Sequence, residues 1–433
     1  MADWETLAET QLFKQGSASG AIVDTKRAEI GAEELSSLSP HWVGALVHET
    51  IPFISYPYEW SFSMLKDAAL LQLDLVAQAL DEDMILKDSS AFNFQWQGAH
   101  PVLIDVGSFK RLETGEPWVG YLQFCQNFLY PLMLTAYKDL AFHAWMRGAI
   151  DGITPENFAN IVSLRDTMRA GVLVHGILQA KLQKSTANAT QSVRGELENA
   201  GFKKELIVAN VKRMRRLVEK LVWTKDESVW AAYATDNSYD ESDYEAKKAF
   251  VGRAAAERRR HVVWDLGCNT GDFSKIAAEH NDYVVSLDAD HLAIERLYLE
   301  LKETGPDNIL PLVNNLADSS PNLGWRGRER RSLTARAKPE LTLCLALIHH
   351  IVITANIPVD DFVEWLAGLG GDLVIEFVTK DDPMVKRLLL NKEDIYHDYE
   401  QPIFEKVLGE YFEVLERKTL EMGTRTLYYA RTR

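Results

Sequence analysis

Residues 262–272 read Val-Val-Trp-Asp-Leu-Gly-Cys-Asn-Thr-Gly-Asp, and they constrain what this chain can fold into more than any other stretch. A short apolar run, Val262 to Trp264, meets Asp265 and then Gly267 and Gly271; a helix-like segment, Phe273 to Ala278, follows at once. Strand, tight glycine turn and helix N-terminus form the unit with which a doubly wound parallel sheet holds a nucleoside-bearing cofactor. Glycine is needed because the turn takes backbone angles that a Cβ penalises, and because the backbone must approach the ligand closely. A dinucleotide site would read G-x-G-x-x-G around a pyrophosphate. This turn reads D-x-G-x-N-x-G instead.

That pattern resembles the cofactor motif of the class I S-adenosylmethionine-dependent methyltransferases. A second element stands at the expected distance. Tyr283 to Asp288 is a β-like run ending in an acid, about 20 residues beyond the first turn, where a ribose-binding carboxylate belongs. The resemblance implies that Asp265, Gly267, Asn269 and Gly271 hold S-adenosylmethionine and that Asp288 accepts hydrogen bonds from both ribose hydroxyls. It places Asn315 and Asp318, after the third strand, at the adenine. Asn269 departs from the family pattern, which has glycine there. The bland alternative is a strand–turn–helix with no ligand; the agreement of turn, acid and following strands argues against it.

The C-terminal half continues in the same way. Ile309 to Val313, Leu341 to Leu347 and Asp372 to Val378 read as further strands, the middle one apolar throughout, as a central parallel strand should be. Phe412 to Leu415 and Thr426 to Ala430 read as a closing hairpin through Gly423, with helices at Leu292 to Lys302 and Val359 to Leu369. The expected fold is α/β. A seven-stranded Rossmann-like class I methyltransferase domain spans 251–433, preceded by a mainly helical (α+β) domain over 1–183. Residues 184–200 are small, polar and apolar-poor, and read as a linker. Residues 201–250 read as a helical connector or lid, opening on an amphipathic helix with a basic face over 202–222. Tyr239 and Tyr244 in that connector are candidates to fold over the cofactor; aromatics packing a helix onto the sheet is the equal alternative.

A length of 433 residues suggests two or three domains. Net charge is −16, which argues against a general nucleic-acid or anionic-membrane surface. Local basic clusters at Arg258 to Arg260 and between Arg326 and Lys338 read as solvated faces, though the second could meet an anionic substrate. Cys125, Cys268 and Cys344 are far apart and fit reduced thiols in a cytoplasmic protein. No leader and no apolar run of about 18 residues is evident, so no membrane association is expected. Leu341 to Ile357 comes closest, but it carries His349, His350 and Asn356 and reads as a buried strand entering a helix.

In the N-terminal half, residues 64–80 have helical spacing and lead through Met84-Ile85-Leu86 to Asp88, then Asn93, then Val102 to Gly107 with Asp105. The order helix, Asp-x-x-x-x-Asn, strand, Asp-x-Gly resembles the catalytic and metal-binding loops of protein-kinase-like folds. That resemblance implies a kinase-like remnant at Asp88, Asn93 and Asp105. No glycine-rich phosphate loop precedes it and fewer than 90 residues stand before Asp88, so the lobe reads as degenerate, serving substrate or partner binding. The whole chain resembles a bacterial group of nodulation-protein-like methyltransferases. The matching stretches are Pro52 to Trp60, Lys87 to Asp105, Glu116-Pro117-Trp118, Ala346 to His350 and Ile375 to Met384.

Methyl transfer is an in-line displacement, so alignment and exclusion of water matter most, with a base where the acceptor carries a proton. Acceptor groups belong at the carboxyl ends of the central strands. His349 and His350 follow the fourth strand and are candidate general bases, one of them alternatively packing under the cofactor. Glu376 joins them as a catalytic candidate, and Lys380 and Asp381 as substrate-binding ones; the alternative is surface charge. No metal-ligand cluster is evident. The expected activity is methyl transfer to a small-molecule or sugar-like acceptor, with a macromolecular acceptor as runner-up. The rivals are a non-catalytic scaffold whose N-terminal lobe binds a partner, and a bifunctional kinase-like methyltransferase.

Overall fold

The computed structural model describes residues 1–39, 41–181, 203–225, 241–390 and 392–433. The chain divides into two compact units, Met1–Lys225 and Asp226–Arg433. The expected linker and Tyr239 lie outside the described residues. Among those residues, no helix is long and apolar enough to cross a membrane.

The first unit is organised on the helix Phe62–Asp81. Ser61 starts it by accepting a hydrogen bond from the Met64 amide, one of the donors a helix N-terminus leaves without a partner. Leu65, Ala69, Leu73 and Val76 recur at helical spacing and are fully buried. The helix Lys204–Glu219 packs along it. Arg215 forks onto Asp74 at 2.5 and 3.3 Å. Lys66 donates to the carbonyls of Glu219 and Leu221 at 2.9 and 2.8 Å, closing that helix's C-terminus. Short antiparallel pairs complete the unit: β1 (Thr25–Arg27) with β2 (Leu46–His48), β3 (Met84–Leu86) with β6 (Phe109–Arg111), and β4 (Phe94–Gln97) with β5 (His100–Leu103).

The second unit is built on one seven-stranded sheet, ordered β12-β13-β11-β10-β7-β8-β9. Its strands are β7 (Val262–Leu266), β8 (Tyr283–Asp288), β9 (Ile309–Val313), β10 (Leu341–Cys344), β11 (Asp372–Val378), β12 (Phe412–Thr419) and β13 (Arg425–Thr432). β7 to β11 run parallel, and β13 lies antiparallel between β11 and β12. Every residue of β10 and β11 is buried, as expected of strands covered on both faces. β12 closes the edge with mostly exposed positions and the charges Glu413, Glu416, Arg417 and Lys418, which discourage pairing with another chain.

Two expectations need correction. β10 stops at Cys344 rather than Leu347, because Ala346 turns to φ +50° and a π-helical turn, His350–Thr354, follows. The cluster at 258–260 is not a solvated face throughout. The Arg260 side chain is wholly buried and bonds Asp372 at 2.6 Å and the Ala254 carbonyl at 3.1 Å. An uncompensated guanidinium could not stay there.

β7 leads to β8 and β9 on one side, and the chain then crosses back to place β10 on the other. Such a reversal opens a crevice beyond the carboxyl ends of the strands.

Candidate functional site

The turn after β7 takes left-handed angles at Gly267 (φ +72°), Asn269 (φ +49°) and Gly271 (φ +80°). Asparagine is among the few residues that visit this region readily, which accounts for Asn269 where the family pattern has glycine. A Cβ on Gly271 would stand 2.5 Å from Leu297 Cδ1 on the helix His291–Thr304, and this approach together with its positive φ favours glycine. The Gly267 and Cys268 amides donate to the Leu287 carbonyl at 2.8 and 3.1 Å, fastening the turn to β8. Asp288 ends that strand. Its carboxylate accepts from the Asn269 amide at 2.9 Å and the Asp290 amide at 2.8 Å. An ionised carboxylate has about four acceptor positions, and the Ala289 amide also bonds that of Asp288.

Gly267, Cys268, Asn269 and Asp288 line a cavity of about 610 Å³ at the crevice, whereas Gly271 stands outside its wall. Asp265, Asp288 and Asn315, from the ends of β7 and β8 and from beyond β9, belong to one side of the reversal; His349, His350, Met384 and Arg425 belong to the other. Asp265 is 2 % exposed and accepts from Ser274 Oγ at 2.6 Å. Burial pushes its carboxyl up to about 7, and the neighbouring Asp288 charge adds to the rise. Burial also raises Asp288, opposed by hydrogen bonds from the Asp290, Asn269 and Ala289 amides.

The rings of His349 and His350 lie with centroids 4.1 Å apart, tilted 42° to one another. His349 is 2 % exposed and its Nδ1 has no hydrogen-bond partner. Burial, then His350, Arg425 and Lys247, push it well below the ordinary histidine value. His350 is held at about 4 by burial and by Arg425. Both rings are therefore neutral near pH 7, able to accept a proton but weakly basic.

Glu376 is wholly buried and does not line the cavity. It accepts from Lys247 Nζ at 2.6 Å and Arg425 Nη1 at 3.4 Å, and Arg425 also forks onto Asp382 at 2.7 and 3.2 Å. The cations of this network line the cavity while Glu376 and Asp382 stand behind them. Lys380 and Asp381 are not in the wall either. Lys380 bonds Asp394 at 3.0 Å and the Tyr396 carbonyl at 2.8 Å, and Asp381 is an exposed partner of Lys386. The reason is local: β11 ends at Val378, and Asp382 caps the helix Pro383–Leu389 through the Met384 amide at 2.9 Å. Met384 thereby enters the wall. Asn315 lies in the wall and Asp318, at the far end of the short turn Leu316–Asp318, does not. Tyr244 lines the cavity and donates to the Asp272 carboxylate.

Sequence reading missed Lys247 and Arg425. Lys247 sits on the buried face of the helix Glu241–Ala256 and Arg425 opens β13. Neither neighbourhood carries a motif. The Asp-Pro step at 382–383 is an ordinary helix-start signal and could have located the turn that brings Met384 inward.

In the first unit the Ile104 amide donates to the Asn93 carbonyl at 2.9 Å, joining the loops that carry Asn93 and Asp105. Burial raises the Asp105 carboxyl; its bond from the Gly107 amide opposes this, and the Asp88 charge adds to it. Among the described residues, no group of at least three His, Cys, Asp or Glu could hold a metal ion.

No family model matches the chain. It is 34% identical over 426 residues to nodulation protein NoeA of Rhizobium meliloti (strain 1021), covering 98% of this chain and 89% of that protein. Among solved structures, N-methyltransferase NodS from Bradyrhizobium japonicum WM9 matches at 14% identity over 45% of this chain and 98% of its own, with a TM-score of 0.33. Magnesium protoporphyrin IX methyltransferase from Synechocystis PCC 6803 matches at 16% identity over 47% of this chain and 93% of its own, with a TM-score of 0.32.

Proposed function

The chain belongs to the family of the nodulation protein NoeA, and from that premise we propose that it is an S-adenosylmethionine-dependent methyltransferase acting on a small-molecule acceptor. One observation carries the reading. Gly267 and Asn269, at left-handed angles in the turn after β7, share one cavity with the Asp288 carboxylate at the reversal of strand order. The residues fit an adenosyl ligand. Asp288 can take the ribose hydroxyls, Asn315 lies where the adenine would pass, and buried Asn269 Oδ1 has no partner of its own. Bound there, S-adenosylmethionine supplies an electrophilic methyl group.

The chain's own residues do the rest. Asp265 offers a carboxyl to the cationic part of the ligand. Leu347, Ile351 and Met384 keep that part of the cavity dry, and His349 and His350 offer neutral imidazoles to a proton leaving the acceptor. Glu376 acts through Lys247 and Arg425 rather than by contact. Calorimetric titration with S-adenosylhomocysteine tests the proposal; no heat at millimolar ligand overturns it. A scaffold without turnover would bind that ligand yet transfer no label from labelled S-adenosylmethionine to any component of a metabolite extract.

For the first unit we retain a degenerate kinase-like lobe. The pairing of β3 with β6 and the β4–β5 hairpin support it, because they bring the loops of Asn93 and Asp105 together. A bifunctional protein would show magnesium-dependent nucleotide binding that Asp105→Ala removes; its absence refutes phosphotransfer.

A further inference from the structure

Resting on the methyltransferase reading, we propose that Lys247 and Arg425 form an anion-binding subsite on the acceptor side of the cavity, so that the acceptor is a small molecule carrying a carboxylate or phosphate group.

The buried ion pairs contribute their basic residues, not their acidic ones, to the cavity wall. Lys247 and Arg425 line it; their counter-ions Glu376 and Asp382, both wholly buried, do not. The Lys247 ammonium lies 4.7 Å from the ring of Phe273, itself a wall residue. The positive charges of both Lys247 and Arg425 are felt at His349, another wall residue. An anion that approaches the wall at Lys247 and Arg425 sits nearer them than the carboxylates behind, and attraction dominates there because it falls with distance. A cationic acceptor meets the same field with the opposite sign.

The donor inventory agrees. Ammonium and guanidinium groups donate and never accept. His349 adds a neutral ring whose Nδ1 is buried and unpartnered, able to donate in one tautomer. The carboxyls in the wall, Asp265, Asp272 and Asp288, come from the ends of β7 and β8 and from the residue after Gly271, on the side of the turn, with Asp265 near enough to Lys247 for the two charges to interact. No counter-charge for an ammonium acceptor lines the other side among the described residues.

Stability alone is a poor reason for the network. A buried ion pair is commonly no more stabilising than apolar residues of the same volume. Lys247, Glu376, Asp382 and Arg425 bring four charges together from separate elements, and two of them, Lys247 and Arg425, belong to the wall of one cavity. Fixed in advance by Glu376 and Asp382, the cationic heads need no reorganisation when an anion arrives.

The cofactor's own amino-acid carboxylate is a second source of the same chemistry, and the test separates the two. The full chain is saturated with S-adenosylhomocysteine, so that carboxylate is already placed. Benzoate and its uncharged analogue benzamide are then titrated. Benzoate is expected to bind at least about tenfold more tightly, the usual scale for hydrogen bonds to a charged group. Arg425→Gln with Asp382→Asn removes both partners of one pair, and Asn still caps the following helix. Lys247→Gln with Glu376→Gln does the same for the other. At least one double variant is expected to lose the preference for benzoate, and neither to weaken S-adenosylhomocysteine more than 5′-methylthioadenosine, which lacks the carboxylate.

Equal binding of benzoate and benzamide by the wild-type chain overturns the subsite, and so does a preference that survives in both double variants. A selective loss of S-adenosylhomocysteine affinity with the benzoate preference intact assigns the cations to the cofactor and also overturns it. Should one variant fail to fold, the other and the wild-type comparison still decide. Failure of S-adenosylhomocysteine to bind sinks the methyltransferase reading instead, and the benzoate comparison on the unloaded chain then judges the anion site alone.

Discussion

Asp265 makes the sharpest demand on experiment. Its carboxyl ordinarily titrates near 3.8 and in this fold is pushed up to about 7 by burial. The folded chain therefore holds that proton more tightly than the unfolded chain does. The group costs nothing below about pH 3.8, where both states are protonated, and its penalty grows as pH rises from there to about 7. A rise of about three pH units corresponds to about 4 kcal/mol at full ionisation. Asp265→Asn keeps an acceptor for Ser274 Oγ and has no charge to desolvate. The difference between variant and wild type isolates this group from the histidines, whose depressed values act in the opposite sense. For a unit of this size about 4 kcal/mol is worth roughly 8–16 °C in Tm. The variant is expected to melt increasingly above wild type between about pH 5 and pH 8, and to converge with it near pH 4. A cationic ligand reverses the preference, since it needs the carboxylate. S-adenosylmethionine affinity in wild type should fall about tenfold per pH unit below 7, with proton release visible calorimetrically in buffers of different ionisation heat. Uncharged 5′-methylthioadenosine should show no such slope. Equal Tm profiles for the two chains would refute the reasoning at its root.

Other substitutions probe separate links. Gly271→Ala combines a left-handed backbone with a 2.5 Å approach to Leu297 and should cost about 2–4 kcal/mol by denaturant titration, whereas Gly370→Ala, in open space but at φ 81° and ψ 179°, should cost about 1–3 from backbone strain alone. Gly368 is exposed inside the helix Val359–Leu369 with nothing near its missing Cβ, so Gly368→Ala should stabilise by about 0.5–1 kcal/mol; a loss of stability would contradict the helix assignment. Asp288→Ala should weaken S-adenosylhomocysteine binding about 10- to 100-fold, the scale of charge-assisted bonds to the ribose. Unchanged affinity would remove Asp288 from the site.

Much of the sheet was legible because its signals are local. β8, β9 and β11 fall where their apolar runs begin and end, and the helix Val359–Leu369 sits on its periodic segment. The cofactor side was readable for the same reason: turn and acid each depend on a few consecutive residues. The acceptor side was not. Position after β11 suggested Lys380 and Asp381, yet the Asp382 cap turns the chain and presents Met384 instead. Glu376 points into the protein because buried cations wait for it there. Arg260 reads as surface in a basic run and becomes a core residue only once Asp372 stands opposite.

Backbone angles at Gly267 and Gly271, and the strand that ends in Asp288, are set by neighbours along the chain, so the amino-acid order alone determined the half of the cavity that carries the turn and the acid. Which charges face the other half depends on Lys247, Glu376, Asp382 and Arg425 meeting from distant segments. A buried charge is tolerable only with its partner beside it. That pairing exists only after the sheet has closed in its final order, so tertiary structure decided it.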